Sequence, residues 1–97
     1  MEVNVKLFSR LRYAARENSF SLHLEDDAKL SDLLDAMTEE YGQALTDEIF
    51  KIMNEVRAGR TLRIVINGQD YSYLGRLEAP LSDGATVEFH PPYMGGT

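Results

Sequence analysis

The chain contains no cysteine and no tryptophan. Without a thiol there is no disulfide, no Cys-ligated zinc or iron–sulfur cluster and no thiol nucleophile, and nothing points to an oxidising compartment. No window approaches the roughly 20 apolar residues that a membrane-spanning helix needs. The N-terminus, Met1-Glu2-Val3-Asn4-Val5-Lys6, lacks the basic-then-apolar pattern of an export signal. A cytoplasmic protein without a membrane partner is the expectation. Basic residues are few, 10 against 16 acidic, for a net charge of -6. That balance disfavours phosphate-backbone binding, so no nucleic-acid partner is expected, and it suits proteins with basic surfaces. Ser, His and Asp occur without a supporting catalytic motif, and no Gly-rich loop follows a strand and opens a helix. His23 and His90 stand far apart with no ligand pattern around them, so no metal site is expected. Catalysis by this chain alone is not expected either.

What is present is a regular pattern. Ninety-seven residues suffice for one domain with a single unstapled core. Val3, Val5 and Leu7 alternate with Asn4 and Lys6, the period of a strand with one face on a core, which turns Phe8 outward. An outward Phe8 is either covered by another segment or available to a partner. Leu11, Ala14 and Ala15 suit a helical turn, and Phe20, Leu22 and Leu24 mark a second, antiparallel strand. Leu30, Leu33, Leu34, Met37 and Tyr41 recur at helical spacing, with Ser31 or Asp32 as N-cap and Gly42 as stop. The acidic residues of this helix lie off its apolar stripe and read as solvation. Thr46 is placed to cap a second helix within 44–60, with Ile49, Ile52, Met53 and Val56 on one stripe and an end near Gly59.

Leu62, Ile64 and Ile66 alternate up to Asn67-Gly68, a strong hairpin signal because both residues tolerate positive φ. Tyr71-Ser72-Tyr73-Leu74 is expected to be a short return strand. Asp83-Gly84 then leads into a last strand, Thr86 to His90, with Val87 and Phe89 inward and Thr86, Glu88 and His90 outward. An N-terminal hairpin, a helix across one sheet face and further strands describe an α+β architecture in which a right-handed crossover sets the last strand beside the first. This order predicts a β-grasp, or ubiquitin-like, mixed sheet with one main helix on one face. The domain spans 1–92. A tail expected to be flexible follows over 93–97, Tyr93-Met94-Gly95-Gly96-Thr97; extended, its five residues reach roughly 17 Å. Pro91 and Pro92 cannot join a ladder, and a Gly-Gly pair passes through a channel too narrow for side chains.

Taken together, Val5-Lys6-Leu7-Phe8, Leu33-Leu34, Val65-Ile66-Asn67-Gly68, Leu81-Ser82-Asp83-Gly84-Ala85-Thr86-Val87 and Pro91-Pro92-Tyr93-Met94-Gly95-Gly96 resemble the MoaD/ThiS sulfur-carrier family. The length, and the segment from Gln43 to Arg60, look more like the molybdopterin-synthase small subunit than the shorter thiamin-pathway carriers. The resemblance implies that an ATP-using, ubiquitin-activating-like adenylyltransferase activates the Gly96 carboxylate, which becomes a thiocarboxylate. A molybdopterin-synthase large subunit-like partner then takes in the tail. The resemblance implies no bound cofactor for this chain, the ATP being used by the activating enzyme. The resemblance further implies a partner-binding surface of Phe8, Tyr71 and His90, continued by Pro91, Pro92, Tyr93, Met94 and Gly95.

Two departures accompany it. An apolar aromatic residue is more usual where His90 stands. The family's carriers end at the second glycine, whereas here Thr97 follows and locks the Gly96 carboxyl in a peptide bond. Three explanations are open: a protease removes the threonine, the residue is foreign to the natural chain, or this relative no longer carries sulfur. Two other functions compete with a carrier. One is a protein modifier joined to lysines through Gly96; the other is a non-covalent β-grasp interaction module.

Overall fold

The structure is a computed structural model that describes residues 1–54 and 61–92. Its elements are β1 (Glu2–Leu7), α1 (Leu11–Ala15), β2 (Ser19–His23), α2 (Leu30–Tyr41), α3 (Gln43–Met53), β3 (Arg63–Ile66), β4 (Gln69–Asp70) and β5 (Thr86–His90). The five strands form one sheet in the order β2-β1-β5-β3-β4. β1 is antiparallel to β2 and parallel to β5, and β5 is antiparallel to β3. This is the β-grasp arrangement that the alternation and the crossover rule predict.

The period-2 pattern decides which sheet face is buried. Val3, Val5, Leu7, Ile64, Ile66, Val87 and Phe89 all turn to the helices and are buried, joined there by Leu30, Leu33, Leu34 and Met37 of α2 and by Leu45, Ile49 and Ile52 of α3. Asn67 and Gly68 have φ of 49° and 85°, the pair of positive angles that matches a tight hairpin to the twist of its strands. The Asn67 side chain also accepts a hydrogen bond from the Thr86 N–H at 2.9 Å, tying the hairpin to β5. Asp83-Gly84, just before β5, ties the same end of that strand to the start of β1. The Asp83 carboxylate accepts from the Glu2 N–H at 2.8 Å, and the Gly84 N–H donates to the Glu2 carbonyl at 2.7 Å.

The structure departs from the sequence pattern at three places. Lys29, not Ser31 or Asp32, is the N-cap of α2. Asp32 lies three residues in and accepts from the Lys29 N–H at 2.8 Å, which satisfies an otherwise orphan donor. Gly42 does end α2, at φ 95°, but α3 starts at once with Gln43. Thr46 therefore lies inside α3, buried, with its hydroxyl 2.8 Å from the Thr38 hydroxyl of α2. It joins two helices where a cap was expected. The return strand is not at Tyr71–Leu74, where it was expected: β4 is Gln69–Asp70, directly after the turn, and Tyr71–Tyr73 is a 3-10 turn. The cause is Asp70, which accepts from both the Ser72 N–H (2.9 Å) and the Ser72 hydroxyl (2.7 Å) and so draws the backbone out of the ladder. Val56, Gly59 and the expected end of the second helix lie outside the described residues, as does the tail 93–97. No helix among the described residues is long and apolar enough to cross a membrane.

Candidate functional site: the open sheet face and the root of the tail

The helices cover one face of the sheet. On the other, strand parity sets Asn4 and Lys6 of β1, Thr86, Glu88 and His90 of β5, and Arg63 and Val65 of β3. Register places Lys6 across from Glu88 on one side, and Val65 across from Glu88 and Arg63 across from His90 on the other. Charges of both signs thus interleave along the centre of the face.

One apolar feature interrupts them. Phe8, just past β1, donates its N–H to the Phe89 carbonyl at 3.2 Å, continuing the parallel pairing by one residue. Its ring thereby comes alongside that of His90, stacked with centroids 4.1 Å apart and planes 14° from parallel. Phe8 remains 36% exposed, so the stack presents a flat aromatic surface to solvent. The second edge of the imidazole is engaged: Nε2 of His90 lies 2.8 Å from Oε1 of Glu88. A protonated ring would make this an ion pair, and a neutral ring a hydrogen bond. Beyond it, Arg63 reaches Asp70 at 3.7 Å. Hydrogen bonds from the Ser72 hydroxyl and then the Ser72 N–H hold the Asp70 carboxyl below the usual carboxylate range; burial opposes them and the Arg63 charge adds to them.

The backbone leaves the sheet here. β5 lies between β1 and β3, so His90-Pro91-Pro92 departs from the sheet's centre, with both prolines half-buried. Proline has a fixed φ and no N–H, which stops the ladder and stiffens the exit. With an aromatic pair and a charged surround, such a surface has the chemistry of recognition, with aromatic anchors inside a polar rim.

The predicted site residues fall into three groups. Phe8, His90, Pro91 and Pro92 are brought together. Tyr71 is not among them. It is buried at 8% exposure in the core, with the Arg76 guanidinium 5.4 Å over its ring. The 3-10 turn that follows Asp70 swings it to the helix side of the sheet. Tyr93, Met94, Gly95, Gly96 and Thr97 lie outside the described residues. Val65, Lys6, Arg63 and Glu88 share the face and were not singled out from the sequence. The alternation that turns Ile64 and Ile66 inward already turns Val65 outward, so the signal for it was present.

Comparison with known proteins follows the same lines. The ThiS family model matches residues 5–96. Small archaeal modifier protein 3 of Haloferax volcanii is 27% identical over 100 residues, which cover 99% of this chain and 100% of that protein. The solution structure of small archaeal modifier protein 1 from Methanosarcina acetivorans is 30% identical, with 98% of this chain and 96% of that chain covered and a TM-score of 0.69. A chain in the Amycolatopsis orientalis BexX/CysO complex shares the fold at a TM-score of 0.71, with 21% identity and 97% and 99% of the two chains covered.

Proposed function

The chain belongs to the ThiS family of ubiquitin-like carriers and modifiers, and from that premise we propose that it is a sulfur carrier for molybdopterin or tungstopterin assembly, acting through Gly96. A terminal carboxylate with an ordinary pKa of about 3.3–3.7 is an anion at neutral pH and a poor electrophile. An ATP-using, ubiquitin-activating-like enzyme supplies the activation. The Gly96 carboxylate displaces pyrophosphate from ATP to form an acyl adenylate, and sulfide sulfur then displaces AMP to leave a thiocarboxylate. The peptide bond to Thr97 must be cleaved first, by a protease. A large subunit like that of molybdopterin synthase takes in the tail, and its own side chains carry out the transfer.

The observation that best supports this reading is the junction at His90-Pro91-Pro92. The tail springs from the central strand, directly beside the stacked Phe8 and His90 rings. A partner that grips the aromatic pair therefore receives the tail in a defined direction. A second reading has its own support. Two relatives that match nearly the whole chain, at 27% and 30% identity, are modifier proteins by name, and a modifier would pass the activated Gly96 to lysines of other proteins.

Intact mass of the protein purified from its native cells tests both. A carrier is seen as free protein that has lost Thr97 and exchanged one oxygen for sulfur. A modifier is seen in adducts that retain Gly96 in an isopeptide bond. A protein that keeps Thr97, and that its cognate activating enzyme cannot adenylate, refutes both readings and leaves a binding module.

A further inference from the structure

The sheet has a second exposed feature, at its β2 edge. β2 forms one edge and pairs only with β1. The ladder shows which of its backbone groups are used. The Leu24 N–H donates to the Met1 carbonyl and the Leu7 N–H donates to the Asn18 carbonyl, each at 2.8 Å. By antiparallel alternation, Leu22 and Phe20 exchange bonds with Val3 and Val5, while the N–H and C=O groups of Ser19, Ser21 and His23 point away from the sheet. All three residues are exposed. Between Ser19 and His23 the edge carries none of the lysines, prolines or bulges that usually blunt a free strand.

A groove of about 350 Å³ opens at the His23 end of this edge, between α2 and the segment that continues from β2 through Leu24, Glu25 and Asp27. Its apolar part is Leu24, Ala28 and Ala36, and its α2 wall carries Asp32, Asp35 and Glu39. These three carboxylates fall at helical spacing on one face. No basic residue occurs anywhere in α2. Lys29, just before it, is turned toward Glu78 at 2.7 Å.

We propose that the β2 edge is a docking site for an extended, apolar peptide segment of a partner protein, flanked by basic residues and added to the sheet as a sixth strand. The outward groups of Ser19, Ser21 and His23 supply the main-chain bonds. Alternate side chains of the incoming strand enter the groove against Leu24 and Ala36, the usual division of affinity and specificity in strand addition. Charge selects the occupant, because the wall that the flanking residues meet is acidic. The same charge argues against a second copy of this chain. Pairing two β2 edges would bring two acidic α2 faces together, on molecules that each carry -6. The site uses neither Gly96 nor the Phe8–His90 face, so it operates whether or not the tail carries sulfur.

The test is titration of the isotopically labelled full chain with two synthetic peptides, one with a Val-Ile-Val-Ile centre flanked by Lys and Arg and one with the same centre flanked by Asp and Glu. The expected result is saturable movement of the Ser19, Ser21 and His23 amide signals with the basic peptide, and binding at least about tenfold weaker with the acidic one. Ser21→Pro removes an outward N–H that β1 does not use and abolishes binding. Ser21→Ala retains it, which controls for loss of the Ser21–Asn4 side-chain bond of 2.7 Å. Asp35→Lys with Glu39→Lys, on the exposed helix face, inverts the peptide preference without touching the strand. The proposal is overturned if the edge amides do not move up to millimolar peptide or if the two peptides bind alike. It is equally overturned if the shifts map to Phe8 and His90, or if the protein self-associates through an edge that Ser21→Pro disrupts.

Discussion

Consecutive residues of the same strands meet two different environments. On the covered face Leu7, Phe89 and Ile64 sit side by side with no solvent contact or nearly none. One residue along, Phe8, His90 and Arg63 lie on the open face, partly exposed and surrounded by charge. Both faces carry an aromatic ring from β5 or beside it, yet only one of the two rings is committed to the core. A strand of alternating character thus separates two tasks that a helix would have to share around its circumference. The covered face keeps the domain folded, while the open face is free to vary in charge and shape without cost to the core.

The sharpest way to break that division is at Phe89. Phe89→Ala removes the largest fully buried side chain and is expected to cost about 3–5 kcal/mol in chemical denaturation. His90→Ala, its neighbour, is expected to cost under about 1 kcal/mol. Equal losses at the two positions would refute the two-face description. Next in size is the single buried polar side chain of the covered side among the described residues, Thr46. Thr46→Val keeps the shape and deletes the bond to Thr38, whose hydroxyl still reaches the Leu34 carbonyl at 3.0 Å. A loss of about 1 kcal/mol is expected, whereas a larger loss would mean that the two threonines fix the angle between α2 and α3.

The covered face was the more legible of the two in the sequence. Period-2 runs gave β1, β3 and β5 with the correct sides inward, and Asn67-Gly68 gave the hairpin. Where the sequence misled, a polar side chain had a partner that spacing alone does not reveal. Thr46 has the chemistry of a cap, but Gly42 already ends one helix and leads into the next with no loop between them. Tyr71 continues an apparent alternation, but Asp70 captures Ser72 and ends the strand. The open face was half legible. Parity put Phe8 and His90 on one side, while their stacking depends on the parallel register that pairs Leu7 with Phe89, a fact about two distant segments. For the tail from Tyr93 to Thr97, the reading rests on sequence and family membership.

Phe8→Ala sharpens the comparison from the open side. The aromatic pair is worth about 0.5–1.5 kcal/mol beyond burial in favourable settings, and on an exposed surface the stability loss should fall at the lower end. Adenylation by the cognate activating enzyme, measured as ATP–pyrophosphate exchange on protein trimmed to Gly96, should fall by about tenfold or more if the pair is a docking anchor. His90→Phe should retain it. An unchanged rate in Phe8→Ala would assign the pair to local structure only.

The last expected effect, confined to alkaline pH, lies at the margin of the covered face, where Tyr41 closes it against β2. Its ring tilts onto Phe20 at 4.2 Å, and its hydroxyl donates to Glu17 at 2.8 Å. Burial, with the Glu17 hydrogen bond second, pushes the Tyr41 pKa up to about 12, against about 10 for an unfolded tyrosine. The folded chain therefore holds this proton more tightly than the unfolded one. The resulting stability is fully present below pH 10 or so and is lost as pH rises through the folded value. Tyr41→Phe has no proton to lose there. Denaturation midpoints of the two proteins, followed from pH 8 to pH 12 at fixed ionic strength, should converge above about pH 10 as the native tyrosine's advantage drains away. The difference between the curves isolates Tyr41 from the other tyrosines and lysines that titrate in the same range. Parallel curves would show that the hydroxyl is as well solvated in the folded chain as in the unfolded one, and that the β2 margin of the covered face is open to water.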